Sequence, residues 1–206
     1  MSSAPSSSPI PPDESASCVR AVDGVLHRRQ HVGPKHLGDP APDEATLREL
    51  FAAAAAAPDH GRLRPWRFLV LGPAARERLA QAFADALIER DPAATAEQQA
   101  DARAKAFRGP VLIVAIADLR AEEPDVPEFE RLVSLGAGIQ NLLLAATARG
   151  YASGLSSGRA MRSRALRDAL ALAEGEHAVC FITLGTALRE KPPRPRPAVD
   201  EFVRWI

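Results

Sequence analysis

"AAAAAAPDHGRLRPWRFLVLG", residues 52–72, decides how the chain is read. Alanine favours helix. Leu47, Leu50, Phe51, Ala54 and Ala57 recur at helical spacing, so the alanine run is one side of an amphipathic helix and no low-complexity tract. Asp43 is placed to cap its start, and Pro58 stops it. Beyond the corner, "RFLVLG" (67–72) has the pattern of a short apolar strand. Between helix and strand stand His60, Arg62 and Arg64, alternating with Gly61 and Leu63. In an extended segment these three polar side chains point one way and suit an anion or the polar edge of a ring. The same residues also make a plain turn: Pro58-Asp59 opens it, Gly61 permits it and Trp66 anchors the strand beyond.

Working outward, "PAARERLAQAFADALIERD" (73–91) opens on proline and is helical. A second, polar helix runs from Ala94 to Phe107. "PVLIVAIAD" (110–118) is a continuous apolar run, as expected of a strand buried on both faces. A loop at Pro124–Pro127 leads into the longest helix, Glu128 to Arg149, whose centre is apolar nearly all round and therefore buried. Gly150 ends it. A short strand at Ala152–Leu155, a helix at Ser163–Leu172 and an apolar strand at 177–187 complete the pattern. Towards the N-terminus, Val19–Leu26 makes one or two helical turns. His27–Pro42 reads as a loop because of Gly33, Pro34, Gly38, Pro40 and Pro42. The C-terminal end is proline-rich and extended, with an apolar last turn of Phe202, Val203, Trp205 and Ile206. The expectation is a mixed chain with three or four strands, far apart in sequence and joined by helices.

Composition narrows the classes. The chain has 206 residues, 46% hydrophobic and 25% charged, enough for one large domain. Lys+Arg and Asp+Glu are both 26, so nothing in the charge points to nucleic acid. No apolar run is long enough for a membrane span. Residues 1–19 are rich in serine and proline and are expected to be a disordered tail, with a single domain over 20–206. The two cysteines, Cys18 and Cys180, form no disulfide framework and suit a cytoplasmic protein.

Three further stretches carry polar chemistry. "HRRQ" (27–30) places two arginines where a phosphate could be gripped by their planar forks. A basic doublet at a helix C-terminus is equally what the macrodipole favours. "SGLSSG" (153–158) is small enough to let backbone approach a flat ligand, but it is also an ordinary strand-to-helix loop and meets neither standard nucleotide fingerprint. His27, His31 and His36 have no metal-ligand spacing, so no metal is expected. No nucleophile elbow or Cys-His signature points to a hydrolase.

Taken in order, "HRRQ" followed by "DPAP", then "APDHGRLRPWRFLV", "FRGPVLIVAIAD", "SLGAGIQNLLLAATARGYASGLSSG" and "FITLGTA" resemble the nitroreductase family of FMN-dependent oxidoreductases, in its short-chain bacterial branch. The resemblance runs from about Val22 to the C-terminus. It implies an α+β sandwich with a mostly antiparallel sheet flanked by helices, in an intertwined homodimer with FMN at the interface. It implies NADH or NADPH as electron donor, a small acceptor such as a nitroaromatic or quinone, and a ping-pong cycle. By position, Arg28, Arg29 and Gln30 match an element that holds the FMN phosphate and the ring edge, with Gln30 replacing the usual serine. His60 matches a flavin-contacting histidine from the second subunit. Ala56 stands where relatives can place an arginine. Leu155, Ser156 and Ser157 match the loop over the flavin, where the first two are smaller than the tryptophan and arginine of some relatives. Arg189 is the candidate late phosphate ligand, with Lys191 as the alternative, and Lys105 is a candidate positive group beside the ring. No catalytic side chain is expected. The substitutions leave open a flavin carrier or redox sensor without nitroreductase turnover, or another flavin reaction on the same scaffold.

Overall fold

The apolar run at 110–118 becomes the middle of the sheet. Strand β3 (Val111–Asp118) pairs antiparallel with β2 (Trp66–Val70) on one side and β5 (Glu176–Ala187) on the other. Ile113 to Ala117 are all completely buried. The reason is cover on both faces. Alternate side chains of a strand point to opposite sides. Ile113, Ala115 and Ala117 pack with Leu50 and Ala54 of α2 (Glu44–Ala55) and with Leu135 and Leu142 of α5 (Glu128–Ala148). Leu112, Val114 and Ile116 pack with Leu79 and Ala82 of α3 (Pro73–Arg90) and with Leu166 of α6 (Arg164–Ala169). A strand between two helical layers needs no polar face, which is why the sequence showed no alternation.

The structure is a computed structural model describing residues 12–120, 125–190, 192 and 195–206. Strand β5 is the hub of the sheet. Beyond β3 it also pairs antiparallel with β4 (Ala152–Ser156) and with the two-residue β1 (Leu37–Gly38). The described sheet is thus five-stranded and wholly antiparallel between helices, an α+β sandwich as expected. Helix α4 (Ala96–Ala104) starts on a capping box, in which the Thr95 hydroxyl accepts from Gln98 N and the Gln98 side chain accepts from Thr95 N. A 3-10 turn, Lys105–Phe107, comes directly after it.

Asp43 caps α2 as expected, its carboxylate accepting from Thr46 N at 2.8 Å; that bond holds its pKa below the usual value. On the sheet, Arg67 donates to both oxygens of Glu176 at 2.6 and 2.8 Å, and Ala173 N donates to the same carboxylate at 2.8 Å. The Arg67 bond holds the Glu176 carboxyl below the ordinary carboxylate value, against the opposing effect of burial. Cys180 is buried, and desolvation pushes its thiol up to about 11. Cys18 is half-buried on α1 (Pro12–Arg28).

Two expectations change. The disordered tail was drawn to residue 19, but α1 begins at Pro12, so eight of those residues are helical; residues 1–11 lie outside the described ones. Serine and proline content hid local signals: a proline is tolerated in a first turn, and Glu14 near the start and His27 and Arg28 at the end suit the macrodipole. The loop expected at 27–42 contains β1 and the 3-10 turn Pro34–His36. Leu37 is buried and pairs with Ala187, so the glycines and prolines punctuate a sheet edge. No described helix is long and apolar enough to cross a membrane.

Candidate functional site

The site is built around the exposed end of β4. The chain leaving α1 runs alongside this strand: His31 bridges Ser153, and Val32 N donates to Ser153 O at 2.8 Å. The two backbones touch so closely that a Cβ on Gly154 would lie 2.0 Å from Val32 O, so only glycine fits there. The pairing is parallel, so the residues after His31 run alongside Gly154 to Ser156, and Pro34 lines the same cavity as Ser156 and Ser157, while Arg28, Arg29 and Gln30 lie back towards the start of β4. The late segment comes to the same region. Leu188 N donates to His36 O at 3.0 Å, Arg189 Nη2 lies 2.9 Å from His36 Nε2, and Arg196 donates to Arg29 O at 3.1 Å. Of the expected site residues, Ser156 and Ser157 share one cavity, Arg29 and Arg189 each meet a neighbouring segment of the chain, and His60 lies elsewhere. Arg28 turns back on its own helix, its Nε donating to Gly24 O at 3.0 Å. Lys191 lies outside the described residues.

Ser156 and Ser157 open into a cleft of about 660 Å³ between the sheet and helices α3 and α4. Its floor is apolar, made by Phe83, Leu112, Met161 and Phe181. Thr183 is also part of its lining, with a fully buried hydroxyl that has no hydrogen-bond partner among the described residues. Lys105 lines the cleft, as do the exposed side chains of Arg90, Arg108 and Arg159, with Asp101 the one carboxylate among the described lining residues. The sequence did not single out these three arginines. Arg90 reads as an ordinary cation at the end of α3, and no spacing links it to residues 108 and 159, which only the fold brings to one cavity.

His60 stands apart, on the face of the molecule carrying α5. Its Nδ1 is 2.7 Å from Glu130 Oε2. An ionised carboxylate only accepts, so Nδ1 carries the proton, and Nε2 is left to meet an approaching group. Sequence reasoning missed Glu130 as this partner, since seventy residues separate the two. Of the two readings of this corner, the turn opened by Pro58-Asp59 and permitted by Gly61 is the one that forms, and the extended segment with three parallel side chains does not. His60–Arg62 is a 3-10 turn, and Gly61, Arg62 and Arg64 all have left-handed φ of 69°, 54° and 44°. Asp59 holds the turn by accepting from Arg64 N at 2.7 Å. Two arginines in this region cost roughly 1 kcal/mol or more each, strain of the kind that collects at functional corners. Among the described residues no group of three His, Cys, Asp or Glu side chains is placed to hold a metal ion.

Known proteins share this chain's sequence profile and its fold. The sequence profile of the nitroreductase family matches residues 28–186. A Haemophilus influenzae protein, provisionally named an NAD(P)H nitroreductase, is 32% identical over 174 residues, covering 84% of this chain and 93% of its own. Among solved structures, a nitroreductase-like family protein from Bacillus cereus superposes with a TM-score of 0.77 at 21% identity, covering 90% of this chain and 95% of that one. The FMN-dependent nitroreductase NfnB from Mycobacterium smegmatis, solved with NADPH, superposes with a TM-score of 0.70 at 20% identity, covering 92% and 99%. Matched by profile over most of its length, by a relative of nearly equal length and by its fold, the chain belongs to the nitroreductase family.

Proposed function

We propose that the chain is an FMN-dependent oxidoreductase that takes reducing equivalents from NADPH or NADH and delivers them to a small acceptor, a nitroaromatic or quinone. The carrying observation is the cleft. A loop of small residues, Ser156 to Gly158, and a lysine, Lys105, line one cavity together with the apolar Phe83, Leu112, Met161 and Phe181. That chemistry fits a flat cofactor with polar edges, and the family and its named relatives support the same reading. Bound FMN would supply hydride acceptance and two-electron delivery in a ping-pong cycle, which the protein's side chains cannot.

The residues then have these tasks. Gly158, where an added Cβ would meet nothing within 4 Å, leaves room for a ring to approach the loop after β4. Leu155 offers apolar contact and Ser156 and Ser157 offer hydroxyls. Lys105 places a positive charge where negative charge on the ring needs a fixed counterpart. Arg28, Arg29 and Arg189 hold the phosphate, and the Gln30 amide can both donate and accept at the ring edge. His60 acts from a second copy of the chain, oriented by Glu130. No side chain is assigned as an acid or base, because solvent reaches an open cleft.

The homodimer is part of the proposal. Helix α1 exposes Val19, Val22 and Leu26, and α5 exposes Phe129, Leu132 and Val133, each at one-face helical spacing. The tail exposes Phe202, Trp205 and Ile206. Apolar surface on this scale marks an interface, and covering it by a second copy brings His60 to the partner's cofactor. The test is an absorbance spectrum of the purified protein before and after anaerobic NADPH or NADH. Flavin bands that bleach are the expected result. A protein that is colourless and cannot be loaded with FMN overturns the reading. With Arg28→Ala and Arg29→Ala together, FMN affinity is expected to fall at least about tenfold, the loss of charged hydrogen bonds to phosphate; unchanged affinity overturns the phosphate assignment.

A further inference from the structure

The rim of the cleft carries more positive charge than a single flavin ring uses, and the assignment of that charge rests on the flavin reading above. The whole chain is neutral, with 26 basic and 26 acidic residues. The cleft is not: Arg90, Lys105, Arg108 and Arg159 line it against Asp101. These cations come from the end of α3, the α4–β3 connection and the turn after β4. Several basic side chains elsewhere on the fold are held by carboxylates, Arg67 by Glu176, Arg120 by Asp118 and Arg149 by Glu49, and others by backbone carbonyls, Arg76 by Gly109 and Pro110 and Arg167 by Ala173 and Glu176. None of the four side chains at the cleft has a hydrogen-bond or ion-pair partner among the described residues. Glu89, beside Arg90 in sequence, is turned away to accept from Ala165 N at 3.3 Å.

Like charges gathered round a concave mouth raise the local concentration of anions. Beneath them lies the apolar floor of Leu112 and Phe181. A ligand that satisfies both is a flat aromatic group joined to phosphate. The excess of cations is too large for an acceptor carrying one carboxylate, and a dinucleotide with an added phosphate matches it better. Lys105 is already assigned to the ring. Of the arginines, Arg90 and Arg159 lie on elements packed against each other, since α3 contacts the turn Arg159–Arg162. A guanidinium fork suits a phosphate dianion in a way a lone ammonium does not.

We propose that Arg90 and Arg159 form a phosphate subsite for the 2′-phosphate of the electron donor, so that this chain prefers NADPH to NADH. Three readouts on the flavin-loaded protein test it. First, kcat/KM for NADPH is expected to exceed that for NADH by about tenfold or more, the scale of one charged hydrogen-bonded contact. Arg90→Ala with Arg159→Ala is expected to remove that ratio, through KM and with FMN content unchanged. Arg78→Ala, an exposed arginine of α3 outside the cleft, is expected to leave the ratio alone. Second, added salt is expected to lower kcat/KM for NADPH more steeply than for NADH. Third, calorimetry is expected to show adenosine 2′,5′-bisphosphate binding about tenfold tighter than adenosine 5′-monophosphate, with the difference lost in the double variant.

Equal use of NADH and NADPH by the wild type, or an unchanged ratio in the double variant, overturns the proposal and leaves the flavin reading standing. Discrimination between anionic and neutral nitroarenes that disappears in the double variant, while the nucleotide ratio persists, assigns the rim to the acceptor and also overturns it. A protein that cannot be loaded with FMN overturns the flavin reading. The calorimetry on that same protein still decides the subsite: tighter bisphosphate binding supports it, and equal binding of the two adenosine phosphates overturns it.

Discussion

Two apolar regions of this chain are built from the same residue types and meet opposite fates. In β3 the side chains from Ile113 to Ala117 are completely buried between two helical layers. On the opening turns of α5, Phe129 and Val133 are each 67% exposed, while Leu135 and Leu142 further along the same helix are almost sealed. One chain alone thus satisfies the sheet and leaves one end of its central helix bare. The bare end also carries Glu130, which orients His60. The contrast teaches that folding and site assembly are separable here. The sheet stabilises the protomer, and the exposed faces of α1, α5 and the tail are the surfaces that the proposed dimer would cover.

Substitutions on either side of that divide test it. The largest effect belongs to the sheet. Ile113→Ala is expected to cost about 2–5 kcal/mol of stability, the range for large-to-small changes at sealed sites, read by urea unfolding. A cost below about 1 kcal/mol would mean the two layers close over the gap and the divide is softer than drawn. Next comes the bare face. Phe129→Asp with Val133→Asp is expected to weaken self-association by about 100-fold or more in sedimentation equilibrium, since a buried charge has no partner there. Protomer stability, measured below the dissociation constant, is expected to change by only about 0.5 kcal/mol, as for exposed positions. Removal of residues 197–206 is expected to weaken association less, because in the proposed dimer the tail would cover the interface from outside. A stable, flavin-loaded dimer lacking those residues would show that the tail does not cross.

The smallest effect sharpens the comparison through pH. Glu176 has a depressed folded pKa because Arg67 bonds its charged form. Its contribution is therefore fully present above the unfolded value near 4.5 and is lost as pH falls through the folded value. Glu176→Gln is expected to cost about 1–2 kcal/mol at pH 7, the scale for hydrogen bonds to a charged group. It is also expected to flatten the acid limb of the stability curve below about pH 4.5, where wild type and variant converge. A variant that keeps the full wild-type slope would place the acid sensitivity elsewhere, with Asp118, held low by Arg120, the next group to change.

How much of this was legible in the sequence depends on the same divide. Strand β3, the buried centre of α5 and the Asp43 cap were legible because each is a local pattern: an unbroken apolar run, an all-round apolar helix, an acid three residues before a free amide. The order of the motifs carried the family, and with it the residues around β4. Strand β1 was not legible, because two residues cannot show a period and their pairing with Thr186 and Ala187 is set by chain crossing some 150 positions away. The turn at His60–Arg64 was legible from Pro58, Asp59 and Gly61, but the left-handed φ of Arg62 and Arg64 was not, because arginine gives no local signal for that conformation. The rim of the cleft was invisible, because Arg90, Arg108 and Arg159 share no spacing. They become one feature only when α3, β3 and β4 are packed.

The depth of Cys180 has a practical consequence. A thiol with a pKa of about 11, sealed in the sheet, stays protonated and out of reach of alkylating reagents in the native protein. Cys18, half-buried on α1, is the other cysteine of the chain. The wild type therefore offers a single addressable handle with no engineering. A nitroxide attached there sits beside Val19 and Val22 on α1, so in the proposed dimer pulsed electron resonance between two labelled copies would read their separation as a ruler laid across the pair.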